Sequence, residues 1–500
     1  MPCRLTVGPI HVQTAFWRLQ CNRATQRTDQ MLTHLQLKNF KGWKDTTPIR
    51  MAPLTVFFGT NSSGKSSIEQ FLLMLKQTVD SSDRKMVIFP GDANTPVNLG
   101  SFEELVFGRD TKNKLEFSFE WGLPKPLTVK DPRSSFTCSG DQMRFEANLG
   151  MVGEKHSTLV VNRFEYRLKK DDAETMRVWV ERKPGAKVEH KLEATPYVLT
   201  RNPGRGWSLG TPTKFYGFPE QIPAYYQNAD FVQDFSLQME RLLRSVSYLG
   251  PLRSKGERLY NWAGGEPENV GYSGENTISA LLAARGRQLN VGKNKRKRPF
   301  QQFIAEKLQQ LELIDEFKVQ QISDNRKEYE VKVRTPGSSL FVDLPDVGFG
   351  ISQVLPVIVQ CFYAPAGSIL FIEQPELHLH PRAQAHLADL FIDVFMSRED
   401  SKERNIQLIV ETHSEHFLNR LQRRIAEADE EHSISTDQVA AYFAHTTGNE
   451  SKLETLQLNA DGDILNWPDK FFGDSMGDLF EKSKAAARRR KQPLRAEAQE

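Results

Sequence analysis

The chain has 500 residues, with 66 basic and 63 acidic side chains and a formal net charge of +3. At roughly 100–200 residues per domain that length holds two to four units, and so balanced a charge excludes attachment to nucleic acid by bulk electrostatics alone. Hydrophobic residues make up 39% of the chain, enough for a sizeable core, yet no run nears the ~18 apolar residues of a membrane helix. Cys3, Cys21, Cys138 and Cys361 form no C-x-x-C pair. That argues against a disulfide framework or a zinc ribbon and for a reducing, cytoplasmic setting.

Residues 1–30 have no clear period and no apolar run ahead of a cleavage site. They read as an N-terminal extension without fixed structure, with the folded protein starting at Met31. Leu32, Leu35 and Leu37 alternate in short strands, and Leu54–Phe58 is a continuous apolar strand. From Ser66 to about Asp80 the pattern is helical, with Ile68, Phe71, Leu72 and Leu75 on one face. Residues 113–215 carry strand-like runs between charged turns, which predicts an antiparallel β-rich insertion. Residues 219–245 and 276–315 are helical in pattern, and the second stretch contains the basic run Lys293, Lys295, Arg296, Lys297 and Arg298. Strand-like segments return after 316. Two buried strands, Ile369–Ile372 and Ile406–Val410, each lead towards a helix, which is the signature of a parallel α/β sheet. There are no sustained heptads for a coiled-coil arm, and the tail from Lys482 is a solvated charged end.

The most specific chemistry lies at Gly59, Thr60, Asn61, Ser62, Ser63, Gly64, Lys65, Ser66 and Ser67. Gly59 and Gly64 bracket four residues ahead of a Lys-Ser pair, with a strand before and a helix after, which is the P-loop spacing. Such a turn wraps backbone N–H groups around phosphates at a helix N-terminus. Lys65 reaches the β- and γ-phosphates, and the Ser66 hydroxyl takes a place on Mg²⁺. ATP with Mg²⁺ is the implied ligand. The strand ending at Glu373 brings a Mg²⁺-coordinating carboxylate to the carboxyl edge of the sheet, 308 positions after Lys65, so the site closes over a large insertion. The next strand delivers Glu411, Thr412, His413 and Ser414 to the same edge. Gly348 and Gly350, followed by Ser352, open a helix that is a second candidate anion site.

Together these motifs resemble ATP-binding-cassette ATPases of the RecF, SMC and OLD-nuclease branch. The segments "SYLGPLRSKGERLY", "EQPELHLHP" and "LNWPDKFFGDSMGDLFE" are similar to a bacterial subfamily of AAA-type ATPases with a short C-terminal domain of unknown function, relatives of which act in anti-phage defence. The resemblance implies an α/β P-loop NTPase, with an ABC-type head built from 31–112 and 316–459. Between the halves lie the β-rich (113–215) and helical (216–315) insertions, and 460–500 forms the short C-terminal domain and tail. It further implies a homodimer or higher oligomer joined through the heads, with Lys65 and Ser66 of one subunit facing the Gly348–Ser352 segment of another across ATP. By matching position Glu373 is the Mg²⁺ acid and His413 the switch histidine. A nuclease or toxin would be the effector. Two departures stand out. Asp346 and Ser352 flank the glycines where the family has a serine directly before a glycine pair, and Gln374 stands where its general-base glutamate belongs. Glu376, Glu411 and His413 remain as candidates to assist hydrolysis.

Competing readings carry less. His378, His380 and His386 with Glu376 have no strong zinc spacing and read as interface packing. An intrinsic nuclease of the OLD type needs a further acidic domain for which 460–500 has no room. A DNA-binding repair or maintenance ATPase of the RecF and SMC kind is the alternative function, and Lys293–Arg298 is its candidate nucleic-acid contact. With a net charge of +3, duplex binding is expected to be weak and steeply salt-dependent. Replacing Lys293, Lys295, Arg296, Lys297 and Arg298 by Ala is expected to remove most of it in a fluorescence-anisotropy titration. Tight binding at physiological salt that survives the change favours the DNA-binding alternative.

Overall fold

The computed structural model describes residues 31–468, apart from 154–156, 184–188, 205–207, 324 and 428–433, together with Phe471 and Lys484. The expected extension 1–30 and most of the charged tail lie outside the described residues. Strand β1 (Leu32–Phe40) turns through β2 (Trp43–Asp45) and β3 (Ile49–Arg50) into β4 (Leu54–Gly59), which leads to helix α1 (Lys65–Asp80). Five antiparallel strands follow: β5 (Leu115–Lys130), β6 (Thr137–Val152), β7 (Thr158–Lys170), β8 (Ala173–Arg182) and β9 (His190–Thr195). They continue the sheet that β1 begins, in the order β2-β1-β5-β6-β7-β8-β9, with β3 on β1. In β5 the side chains of Leu115, Phe117, Phe119 and Trp121 point into the core. The alternate positions carry charge, and Glu120 on this face pairs with Arg144 of β6 at 2.6 Å. This is the alternation of a sheet with one wet face.

Beyond it come helix α2 (Phe231–Arg244), strand β10 (Val246–Leu249), helix α3 (Phe300–Gln310) and the hairpin β11 (Glu316–Gln321) and β12 (Glu328–Arg334). The chain then alternates through α4 (Phe349–Tyr363), β13 (Ile369–Glu373), α5 (Pro381–Phe395), β14 (Gln407–Glu411) and α6 (Glu415–Glu427). It ends in β15 (Val439–Thr447) and β16 (Glu450–Thr455). A six-stranded sheet runs β10-β13-β14-β4-β15-β16. Every pair in it is parallel except the final hairpin. Its strands are apolar at successive positions because both faces are covered. Phe57, Ile369, Phe371 and Ile409 pack with α1, α2 and the antiparallel sheet. Val56, Phe58, Leu370, Ile372, Leu408 and Val410 pack with α4, α5 and α6.

Two expected boundaries differ from this arrangement. The β-rich stretch is no separate insertion, because Leu37 of β1 is paired with Phe117 of β5 across the 112/113 boundary. The 216–315 stretch is not purely helical: β10 is an edge strand of the parallel sheet, with Val246 opposite Ile369. Within 276–315, residues Gln288–Val291 form a strand between Gly286 and Gly292, where glycine lowers the stability of a helix.

One side chain ties the two sheets together. Gln407, buried at the start of β14, accepts a hydrogen bond from the Leu32 amide at 2.9 Å. Its own amide group donates to the carbonyls of Leu32 at 2.8 Å and Ala52 at 3.0 Å. Gln407→Leu keeps the volume but removes the partner of the Leu32 N–H and C=O, while the Ala52 carbonyl still accepts from the Thr55 hydroxyl at 3.2 Å. At ~1–3 kcal/mol for each of the two groups left unpaired, the variant is expected to lose about 2–6 kcal/mol in denaturant unfolding.

Candidate functional site

The parallel register positions the site. Glu373 of β13 lies opposite Glu411 of β14, and Glu411 lies opposite Phe57 of β4. Two carboxylates and the P-loop therefore leave the sheet at one level of one edge, Glu411 one strand from the P-loop strand and Glu373 two.

Gly59 begins the turn with φ 145°, and a Cβ there would stand 2.1 Å from the Ala444 carbonyl oxygen of β15. Only glycine fits so close a backbone approach. Thr60, Asn61 and Ser62 are exposed, and Ser63 is buried with an unpartnered hydroxyl. Gly64, with φ 94°, caps α1. The Ser67 hydroxyl donates to the Gly64 carbonyl at 2.5 Å and accepts from the Trp43 indole at 2.8 Å. Lys65 is buried and folds back on the loop: its ammonium donates to the carbonyls of Thr60 at 2.8 Å and Gly59 at 3.2 Å. It also stands 3.7 Å from a Glu411 oxygen. Burial lowers the Lys65 pKa, and the charge of Glu411 opposes that shift.

The Ser66 hydroxyl donates to Glu411 at 2.7 Å. Glu373, the carboxylate expected beside it, instead accepts from the Tyr248 hydroxyl at 2.9 Å. Burial pushes the Glu373 carboxyl up to about 7, with the negative charge of Glu411 adding to the shift. Arg253, buried, donates to the Glu373 carbonyl at 2.6 Å and to that of Gln374 at 3.5 Å. Gln374 holds φ 43°, a left-handed conformation uncommon for a side-chain-bearing residue. Its N–H donates to the Glu411 carbonyl at 2.7 Å. One Glu376 oxygen accepts from the His413 amide at 2.7 Å, and the other has no hydrogen-bond partner. His413 is half-buried; desolvation and then the Lys65 charge lower its pKa.

Gly59 to Ser67, Glu373, Gln374, Glu376, Glu411 and His413 are thus brought together. Gly348, Gly350 and Ser352 are not: among the described residues no hydrogen bond joins them to the P-loop of their own chain. Ser352 donates to the Phe349 carbonyl at 2.8 Å, Gly350 packs against the His378 backbone, and Phe349 is 44% exposed. The histidines do not converge on a metal either. His378 meets the Phe349 ring edge-on, His380 caps α5, and His386 faces Asp389 at 3.4 Å.

Sequence reasoning left Glu69, Tyr248 and Arg253 without a role. Among the described residues, Glu69, Glu373 and Glu411 form the one group of side chains close enough to share a metal ion. The signal for Glu69 was its place one helical turn after Lys65, on a face otherwise given to Ile68, Leu72 and Leu73.

This fold and site are those of a P-loop ATPase. Residues 31–116 match the family described as "AAA ATPase domain", and residues 236–419 match "AAA domain, putative AbiEii toxin, Type IV TA system". Residues 434–481 match "Protein of unknown function (DUF3696)". The similarity to AAA-type ATPase domains is thus divided in sequence and is followed by the segment similar to DUF3696. That segment contains β15 and β16, so it starts inside the parallel sheet and not at 460. Its Phe471 packs edge-on against Phe58 of β4, with ring centroids 5.6 Å apart. The chain is 23% identical over 453 residues to a Helicobacter pylori protein named ATP/GTP phosphatase, covering 90% of this chain and 98% of that one. Among solved structures it is similar to an SMC head domain from Thermotoga maritima (10% identical, TM-score 0.37, covering 85% of this chain and 99% of that one). It is similar also to an Smc head bound to the C-winged helix domain of ScpA (12%, TM-score 0.38, 86% and 98%).

Arg253 makes a positioning role testable. A lysine keeps the charge but loses the planar fork that spans two successive carbonyls. Arg253→Lys is expected to lower kcat for ATP while KM stays close to wild type, because no group of the P-loop is touched. A change in KM alone would mean that Arg253 acts on binding.

Proposed function

We propose that the chain is a cytosolic, nucleotide-dependent dimer switch that binds ATP tightly, hydrolyses it slowly and controls a partner effector in bacterial anti-phage defence. The observation that carries this reading is Gln374. It directly follows Glu373 at the carboxyl end of β13, with its backbone held by Arg253 and Glu411. A glutamate there would orient and deprotonate the attacking water; an amide can hydrogen-bond the water but cannot take its proton.

The site residues fit Mg²⁺. Ser66 already bonds a carboxylate, and buried acidic oxygens around it lack hydrogen-bond partners. Ser66 and Glu373 would hold the ion, with Glu411 in reach, and it would offset the phosphate charge. Gly59–Ser67 would cradle the phosphates, and His413 would sense the terminal one. Residual hydrolysis would rest on Glu376, Glu411 or His413.

Dimerisation is supported by the exposed start of α4. Among the described residues Gly348, Gly350 and Ser352 make no hydrogen bond to their own P-loop, and Phe349, edge-on to His378, keeps 44% of its surface exposed towards a second subunit. The effector reading is supported by the toxin–antitoxin wording of the matched family, and ATP hydrolysis by the name of the Helicobacter relative. The exposed loop holding Lys293, Lys295, Arg296 and Lys297 favours the second reading, a RecF- or SMC-like DNA-binding ATPase. No helix among the described residues is long and apolar enough to cross a membrane.

The test pairs two variants, followed by ATPase rate and by mass in solution with and without ATP. Gln374→Glu is expected to raise turnover by up to ~10²-fold, the lower end of what general-base help contributes, and to shorten the life of the ATP-bound dimer. Lys65→Ala is expected to abolish ATP binding and the dimer with it. A wild type that already turns over at the ~10 s⁻¹ of a median enzyme, and that Gln374→Glu slows, would refute the switch.

A further inference from the structure

Helix α1 carries a carboxylate that the P-loop chemistry does not use. Glu69 is fully buried, and neither of its oxygens has a hydrogen-bond partner. It lies one turn after Lys65 and is aimed at the sheet edge, where one oxygen each of Glu69, Glu373 and Glu411 lie within 4.8 Å of one another. All three residues are buried.

The charges around them do not balance. Lys65 is the cation closest to the group and lies 3.7 Å from Glu411. Arg253 spends its guanidinium on the carbonyls of Glu373 and Gln374. Glu373 takes one neutral donor, Tyr248, and Glu411 takes one, Ser66. Glu69 takes none. Three buried carboxylates thus face one ammonium, and a buried carboxylate without a partner is costly.

We propose that Glu69, Glu373 and Glu411 form a divalent-cation site that fills without nucleotide, with Glu69 as a protein ligand additional to the Mg²⁺ site of the P-loop. The spacing suits an ion. Two opposite ligand oxygens are separated by twice the metal–oxygen distance, about 4.1 Å for Mg²⁺ and about 4.6–5.2 Å for Ca²⁺. The all-oxygen donor set selects hard cations such as Mg²⁺, Mn²⁺ or Ca²⁺ over zinc. The ion would supply the positive charge that the protein does not, and the Ser66 hydroxyl, bonded to Glu411, stands beside it. This proposal rests on the edge placement of Glu373 and Glu411, not on ATP binding or hydrolysis.

The probe is Mn²⁺ alone, titrated into the nucleotide-free full chain and followed by the loss of the free-ion EPR signal. One Mn²⁺ per chain is expected, and Glu69→Gln is expected to weaken it at least ~10-fold, as loss of a metal-supporting group does. Without metal, Glu69→Gln should melt at or above the wild-type temperature, because it removes a buried charge. Lys65→Ala should keep or strengthen Mn²⁺ binding while losing ATP, which separates this site from the nucleotide site. Wild type that takes up no Mn²⁺ in the millimolar range overturns the proposal, and so does Glu69→Gln with unchanged affinity. Should Glu69→Gln not fold, the same ~10-fold test passes to Glu373→Gln.

Discussion

Parallel pairing of three strands, β4, β14 and β13, is the constraint on which the rest depends. β4 comes from more than 300 residues before the other two, and the register of the three sets Phe57, Glu411 and Glu373 level with one another. In a parallel ladder a slip of one residue would turn each carboxylate to the other face of the sheet. Both faces are packed, by α1 and α2 on one side and α4, α5 and α6 on the other, so such a slip would disrupt two cores at once. The packing of the core thereby fixes the geometry of the edge.

That edge concentrates charge where it is least tolerated. Lys65, Glu69, Glu373, Glu376 and Glu411 are all buried, and desolvation is the largest influence on each of their ionisations. The surrounding hydrogen bonds manage part of the cost: Tyr248 serves Glu373, Ser66 serves Glu411, and the His413 amide serves Glu376. The remainder is uncompensated, which is how a site built for a charged ligand differs from a core. The left-handed backbone at Gln374 belongs to the same economy, since strained residues persist where their surroundings over-determine them.

The elements flanking the edge are less separate than their order in the chain suggests. Gln407 bridges β14 to β1 and so joins the parallel sheet to the antiparallel one. The DUF3696 segment contributes β15, the strand on the far side of β4, whose backbone at Ala444 leaves room only for glycine at the first P-loop position. A change in that C-terminal segment therefore has a direct mechanical route to the phosphate turn.

Local sequence determined much of this protein. The P-loop spacing, the apolar strands ending in Glu373 and Glu411, the helix after Lys65 and the alternation of β5 to β8 are patterns of neighbouring residues, and their chemistry follows from spacing alone. The amide at position 374 was equally legible, because a residue type is visible wherever it falls. Tertiary structure alone decided which carboxylate meets Ser66, since that depends on β14 lying between β13 and β4. It also decided that Val246–Leu249, inside the expected helical insertion, is an edge strand of the parallel sheet, because that depends on pairing with Ile369–Ile372 from far along the chain. Glu69 is the clearest case. In sequence it is one acid on a helix, and it becomes a buried, unpartnered carboxylate only because strands from the far end of the chain bring two more acids against it.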